Sequence, residues 1–188
     1  MTVLAINGSP RAKGNTSTML NWVLDVLKEE GFETQLVEEA AKPVQGCISC
    51  FYCVKHQKCV HQDQISELMP AIAAAEALIL GSPVYFADLT PWLKALIDRT
   101  GLVMLNSSNP LKRKPGAAVV VARRAGHVHT FDSINHFFGI TEMFTVGSSY
   151  WNLGVGAPVG SVEADEEAKN TMVNLGRNMA WLLKKIAG

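Results

Sequence analysis

The sequence predicts a doubly wound α/β fold built on one five-stranded parallel sheet. Short apolar runs recur along the chain and alternate with segments in which apolar residues have helical spacing. This alternation is typical of a parallel sheet that is covered by helices on both faces. Five such units in one open sheet predict the strand order 2-1-3-4-5. In that arrangement a ligand binds at the carboxyl ends of the strands.

Each element has its own pattern in the sequence. Apolar runs predict strands over 3–6, 34–37, 77–80, 117–122 and 143–146. Helical spacing predicts helices from 15 to about 30, from 63, from 90 to about 101, around 134–138, and over 165–187. Asp63 and Thr90 are predicted N-caps, and Pro70 predicts a kink or an early end of the second helix. The segment 147–161 is predicted to be a loop.

The composition limits the classes of function. The 188 residues are 48% hydrophobic, which predicts a single domain over 1–188 with a sizeable core. Lys+Arg and Asp+Glu are both 17, so no excess of positive charge points to nucleic acid or to an anionic membrane. No apolar run approaches the roughly 20 residues of a membrane span, and the N-terminus lacks a signal-peptide pattern. We expect a cytoplasmic protein.

The loop after the first strand is rich in hydroxyl groups and leads directly into a helix. A helix N-terminus leaves its first N–H groups unpaired and carries a partial positive charge, which suits a phosphate. Ser9, Arg11, Thr16 and Ser17 add hydrogen-bond donors around the same point. We therefore predict that an anion binds here.

Two familiar phosphate-binding motifs do not match this loop. A P-loop requires Lys after its second glycine, but Asn15 follows Gly14. A dinucleotide fingerprint requires Gly-x-Gly-x-x-Gly, and only Gly8 and Gly14 lie in this turn. A single phosphate at the helix start is the remaining functional interpretation. The alternative is an ordinary βα turn with Asn15 or Thr16 as the N-cap.

Two further loops are expected to meet the first at the same edge of the sheet. The loop after the third strand contains Pro83, Tyr85 and Phe86, which suit a flat heteroaromatic ring. Arg123 and Arg124 follow the fourth strand, where they could contact the polar side of the ring or a ribityl chain. Core or oligomer packing is the alternative for the two aromatic residues. The three loops together predict flavin mononucleotide (FMN).

All cysteines of the chain lie in an insertion over about 40–62 that has no regular periodicity. They are Cys47, Cys50, Cys53 and Cys59. Four closely spaced thiolates suit a [4Fe–4S] cluster. Zinc is the competing metal, and His56 or His61 could then replace a cysteine. Reduced cysteines without metal and a labile disulfide are the remaining alternatives.

These stretches resemble the NAD(P)H-dependent FMN reductase family with a flavodoxin-like fold and, within it, the iron–sulfur flavoproteins. The resemblance is carried by the segments 8–16, 81–86 and 93–99 and by the cysteine run. It implies that residues 9–17 hold the FMN phosphate, that 83–86 follow the isoalloxazine ring, and that a neighbouring subunit of a homodimer or homotetramer helps to enclose the flavin. Many members have glycine after the aromatic pair, where this chain has Ala87 and Asp88. The predicted cofactor-binding residues are Ser9, Arg11, Gly14, Asn15, Thr16, Ser17, Pro83, Val84, Tyr85, Phe86, Arg123 and Arg124.

The function predicted from these motifs is that of an FMN-dependent oxidoreductase. Electrons would pass from NADH, NADPH or an electron carrier through FMN, and through a [4Fe–4S] cluster where one is bound, to a small-molecule or protein acceptor. No catalytic side chain is predicted, because the cofactor carries the chemistry. One alternative is a non-enzymatic electron-transfer protein that exchanges electrons with ferredoxin. Another is a zinc-stabilised interaction module.

Overall fold

The computed structural model describes residues 1–38 and 40–188. Its sheet has the predicted order β2-β1-β3-β4-β5, and every neighbouring pair is parallel. A further strand, β6, pairs with β4 beyond the end of β5. The strands are β1 Thr2–Asn7, β2 Glu33–Val37, β3 Ala77–Pro83, β4 Pro115–Ala122, β5 Phe144–Thr145 and β6 Leu153–Val155.

Helices cover both faces of the sheet. Helices α1 and α6 pack on one face, and α3, α4 and α5 pack on the other, so that the sheet separates two apolar cores. No helix within residues 1–38 and 40–188 is long and apolar enough to cross a membrane. The helices are α1 Asn15–Glu29, α2 Tyr52–His56, α3 Gln64–Ala74, α4 Pro91–Leu105, α5 His127–Ile140 and α6 Glu166–Ile186, with a 3₁₀ turn at Ser161–Ala164.

Several elements of the structure differ from the sequence prediction or extend it. Helix α4 continues past Gly101 to Leu105, because Val103 and Met104 are buried against the core and extend its apolar side. Helix α3 continues through Pro70 to its end at Ala74. The predicted loop over 147–161 contains β6, which is stabilised by pairing with β4 although its three residues show no recognisable strand pattern.

The register of the sheet brings the ends of three strands to one level. Asn7 at the end of β1 lies beside Gly81 in β3, and Pro83 at the end of β3 lies beside Val121 in β4. The backbone N–H of Gly8 then donates to the carbonyl of Gly81 over 2.7 Å. The loops that follow β1, β3 and β4 therefore begin side by side at the carboxyl edge of the sheet.

Candidate functional site

A cavity of about 270 Å³ lies at this edge, between the loops after β1, β3 and β4 and the segment after β6. Most of the predicted cofactor-binding residues line it, and Ser17, Phe86 and Arg124 do not. The lining residues are Ser9, Arg11, Gly14, Asn15, Thr16, Pro83, Val84, Tyr85, Val121, Ala122, Arg123, Gly156, Ala157 and Val159.

The N-terminus of α1 borders this cavity without a capping side chain. Gly14 is the N-cap, so the alternative of a turn capped by Asn15 or Thr16 is wrong, because both residues already belong to the first turn. Elsewhere in the described chain, side chains cap α3, α4 and α6. The first N–H groups of α1 and the positive end of its dipole are therefore left for a ligand.

Ser17 is buried in the first turn of α1 and does not line the cavity. Its side chain interacts with the carboxylate of Glu38, which also accepts hydrogen bonds from Asn7 Nδ2 at 3.0 Å and from the backbone N–H of Lys13 at 3.1 Å. Burial alone would raise the pKa of Glu38, but the hydrogen bonds outweigh it and hold the pKa below its usual value. Glu38 thus holds the loop after β1 in place, and its carboxylate is the hydrogen-bond partner of the Ser17 side chain.

The loop after β3 presents Tyr85 to the cavity through a strained turn. Tyr85 and Asp88 exchange backbone hydrogen bonds of 2.7 and 3.0 Å, and the two residues between them, Phe86 and Ala87, have φ of 48° and 65°. Glycine or asparagine is usual in such a turn. Gly126 packs tightly on it, since a Cβ at Gly126 would lie 2.9 Å from Ala87 Cα. Phe86 is fully exposed and outside the cavity, which corrects its predicted position.

The fourth wall of the cavity comes from the segment after β6, which lies within the predicted loop over 147–161. Asn15 Nδ2 donates to the carbonyl of Pro158 over 2.8 Å, and the backbone N–H of Gly156 donates to the carbonyl of Ala122 over 2.9 Å. A Cβ at Gly156 would approach Asn15 Nδ2 to 2.8 Å, so only glycine fits without displacing the asparagine. The glycines of this segment were the signal that could have revealed a close approach. Arg124, which does not line the cavity, is exposed to solvent.

The four cysteines line a second cavity, together with residues of α4. Cys47 and Cys50 are exposed, Cys59 is half-buried, and Cys53 is buried in the first turn of α2. Left-handed residues at 49, 51 and 57 bend the chain between the thiols, so that the loop wraps around the cavity. All four cysteines are free thiols. The lining residues from α4 are Arg99, Leu102 and Val103.

The thiols are close enough to influence one another. Burial raises the pKa of the Cys53 thiol, and the negative charges that Cys47, Cys50 and Cys59 would carry raise it further. Among the described residues, no three His, Cys, Asp or Glu side chains are arranged to share one metal ion. A single zinc ion requires its sulfur ligands at about 2.3 Å from one point. A cubane cluster instead binds each thiolate to a separate iron.

Arg99 joins the cysteine loop to α4. Its guanidinium forms a two-pronged ion pair with Asp63, with both N···O distances at 2.7 Å. This pairing holds the pKa of Asp63 below its usual value. Asp63 also caps α3 as predicted, accepting from the backbone N–H groups of Ile65 and Ser66. The neighbouring carboxylate, Asp98, pairs with Lys94 on the exposed side of α4 instead.

The proteins to which this chain is similar in sequence are flavin proteins. The family model for NADPH-dependent FMN reductase matches residues 1–158. An iron-sulfur flavoprotein of Methanocaldococcus jannaschii is 36% identical over 193 residues, which cover 99% of this chain and 99% of that protein. An iron-sulfur flavoprotein of Methanosarcina thermophila is 35% identical over 178 residues, which cover 90% of this chain and 92% of that protein.

Solved structures share the fold at low sequence identity. A flavone reductase superposes with a TM-score of 0.76 at 18% identity, covering 100% of this chain and 64% of that chain. A flavodoxin from the domain Archaea gives a TM-score of 0.62 at 17% identity, covering 98% of this chain and 99% of that chain. The predicted flavodoxin-like fold is therefore confirmed.

The contacts of Glu38 predict a pH-dependent contribution to stability. Glu38→Gln removes the carboxylate, and we expect the free energy of unfolding at pH 7 to fall by about 1–2 kcal/mol. The pKa of this carboxyl is lower in the folded than in the unfolded chain, for which 4.5 is the reference value. Its stabilisation is thus fully present above pH 4.5 and is lost as the pH falls through the folded pKa. Urea unfolding of both proteins between pH 7 and pH 3.5 measures the difference between their free energies of unfolding. This difference should stay constant from pH 7 down to about 4.5 and become smaller at lower pH. A difference that does not change with pH would contradict this assignment.

Proposed function

Because the chain belongs to the NADPH-dependent FMN reductase family, we propose that it passes electrons from a reduced nicotinamide through FMN, and onward through a [4Fe–4S] cluster, to an acceptor. The observation that carries the proposal is the cavity in which the uncapped N-terminus of α1 faces the Tyr85 loop. One end of this cavity suits a phosphate, and the other suits a flat ring. FMN has both groups in one molecule.

The donors in the cavity fit the phosphate of FMN. Ser9 and Thr16 are almost fully buried and line it beside the first turn of α1, and the charged side chain of Arg11 lies at its rim. The two hydroxyls and the guanidinium can each donate a hydrogen bond to a phosphate oxygen, and the helix dipole favours negative charge at the same point. A dianionic phosphate would therefore be held without a counterion. Asn15 would contribute its backbone N–H, because its side-chain Nδ2 already donates to the carbonyl of Pro158.

The opposite end of the cavity fits the flavin ring. Pro83, Val84 and Tyr85 would lie along the ring, and Arg123 would lie near its polar edge or the ribityl chain. Bound FMN supplies the capacity to accept hydride and to release electrons. The residues of this chain position the ring, exclude water from it, and favour negative charge through Arg11 and Arg123.

A third cavity, separate from the one lined by the cysteines, offers a place for a substrate beside the ring. It has a volume of about 460 Å³ and shares Tyr85 with the first cavity. Its walls come from the start of the cysteine insertion and from the first turn of α4, including Trp92. This volume falls within the range of small-molecule sites. We propose that a nicotinamide or a planar acceptor enters here.

The four cysteines fit a [4Fe–4S] cluster by the chemistry of their donor set. Four thiols surround one cavity, and the relatives that match most of this chain are named iron-sulfur flavoproteins. Cys47, Cys50, Cys53 and Cys59 would hold the cluster, which supplies single-electron transfer. Arg99 and the apolar residues of α4 would close its inner side.

A specific observation also favours a second function, electron exchange with a ferredoxin-like protein. Cys47 and Cys50 are exposed, and Ile48 and Phe51 beside them are 63% and 62% exposed. A partner protein could therefore approach the cysteine site closely, with apolar surface available for contact. In this case nicotinamide would be a poor reductant.

Thr16→Val tests the phosphate site. The substitution keeps the shape of the side chain and removes one donor to a charged ligand, so we expect FMN to bind roughly tenfold more weakly. Titration of the apoprotein, followed by quenching of flavin fluorescence, measures the affinity. Thr18→Val is the matched control, because the Thr18 hydroxyl contacts the carbonyl of Gly14 and does not line the cavity.

Riboflavin provides an internal comparison for the same variant. It has the ring and the ribityl chain but no phosphate, so its affinity should be the same for Thr16→Val and for the unaltered protein. Equal losses of FMN and riboflavin affinity would show that Thr16 supports the cavity generally and does not contact the phosphate.

Metal analysis after anaerobic purification tests the cysteine site. We expect about four iron atoms and four acid-labile sulfides per chain. Cys53→Ser should remove most of both, whereas Val54→Ala, at the exposed neighbouring position, should retain them. One zinc ion per chain, or iron content that does not respond to Cys53→Ser, would overturn the cluster.

Anaerobic reduction distinguishes the two functions. We expect NADPH or NADH to bleach the flavin absorbance within one turnover of the protein. Reduced ferredoxin, added to a parallel sample, provides the comparison. Bleaching by ferredoxin in the absence of bleaching by either nicotinamide would support the electron carrier over the reductase.

A further inference from the structure

Arg99 is the most deeply buried charged residue in the described chain. Only 1% of its surface is exposed, yet all five N–H donors of its guanidinium have partners. Two bond to the Asp63 carboxylate, one to the carbonyl of Gln45 at 3.0 Å and one to Ser66 Oγ at 3.0 Å. The fifth, on Nε, donates to Cys59 Sγ at 3.3 Å.

Every partner of Arg99 lies in the cysteine insertion or in the helix that follows it. A longer contact of 3.5 Å to the carbonyl of His61 belongs to the same segment. The insertion has only the five-residue helix α2 as regular structure, so it has few backbone bonds of its own. Arg99 therefore attaches a loop with little internal structure to a long, buried helix.

The hydrogen bond from Arg99 Nε to Cys59 Sγ bears on the charge of the Cys59 sulfur. The sulfur of a neutral thiol is a weak acceptor and offers little to a buried cation. A thiolate carries negative charge, and a charge-assisted hydrogen bond to it is much stronger. Groups that hydrogen-bond to the ligands of a metal site orient those ligands and tune the metal.

We propose that Arg99 is a positioning residue for the cysteine site, fixing Cys59 and, together with Asp63, setting the reduction potential of the cluster held there. This inference rests on the proposed function. One-electron reduction adds one negative charge to the site. The positive charge and the N–H of Arg99 favour that state, and the negative charge of Asp63 opposes it.

Arg99 and Asp63 should therefore shift the potential in opposite directions. Arg99→Met removes a positive charge and the bond to Cys59, so we expect the equilibrium constant for reduction to fall at least tenfold, or about 59 mV for one electron. Asp63→Asn retains an oxygen for the N–H groups of α3 and leaves Arg99 without a counter-charge, so the constant should rise.

The experiment is a dithionite titration of the anaerobically purified full chain, with the reduced cluster quantified by electron paramagnetic resonance. Arg99→Lys keeps the charge but lacks Nε, and its potential should lie between those of Arg99→Met and the unaltered protein. Lys94→Met is the matched control, because it removes a positive charge from the same helix at an exposed position paired with Asp98. It should leave the potential unchanged.

A purely structural role for Arg99 gives a different result. Arg99→Met and Asp63→Asn break the same ion pair, so both would then shift the potential in the same direction, or neither would shift it. Either outcome overturns the inference. If Arg99→Met does not retain iron, the Asp63→Asn protein gives the answer: a raised potential supports the inference, and an unchanged or lowered potential overturns it. Failure of the proposed function is distinct, since the unaltered protein would then contain no iron.

Discussion

The hydroxyl of Thr90 makes the contact on which both sites depend. It donates to the carbonyl of Gly8 over 2.7 Å and accepts from the backbone N–H of Leu93 at 3.3 Å, while the Thr90 N–H donates to Ser82 Oγ at 3.1 Å. One buried residue thus joins the loop after β1, the end of β3 and the first turn of α4. Because Thr90 caps α4 and bonds to Gly8, the start of the helix that carries Arg99 is fixed relative to the loop after β1.

Left-handed backbone conformations occur in two segments that border the described cavities. The turn at Phe86 and Ala87 and the residues at 49, 51 and 57 adopt left-handed backbone conformations without glycine. Such conformations persist only where the surrounding structure imposes them. Gly126 packs against the first of these segments, and the guanidinium of Arg99 bonds to the carbonyls and side chains that flank the second. Burying a cation is costly unless its donors are all paired, and here the pairing also orders the loop.

The sequence predicted the sheet order, the main helices and the loops that meet at the carboxyl edge of the sheet, because these follow from apolar periodicity and from glycine and proline at strand ends. It could not predict β6, since three residues with a central glycine have no period and pair only because β4 extends past β5. Nor could the sequence show that the Ser17 side chain is hydrogen-bonded to Glu38, because Glu38 follows β2 and lies outside the hydroxyl-rich loop after β1. The ion pair between Arg99 and Asp63 could not be predicted either. Asp63 lies 36 positions away, and its sequence context indicates only a helix N-cap.

Helix α4 relates the two sites in space. Thr90 lies at its start and lines the 460 Å³ cavity next to the Tyr85 loop, and Arg99 follows nine positions later beside the cysteines. At about 1.5 Å per residue, that separation is about 13 Å along one rigid element. The helix is buried along the sheet by Leu93, Leu96 and Val103, so neither end can move alone. The distance between the cavities is therefore set by helix geometry and packing, and the irregular cysteine loop takes its position from the helix.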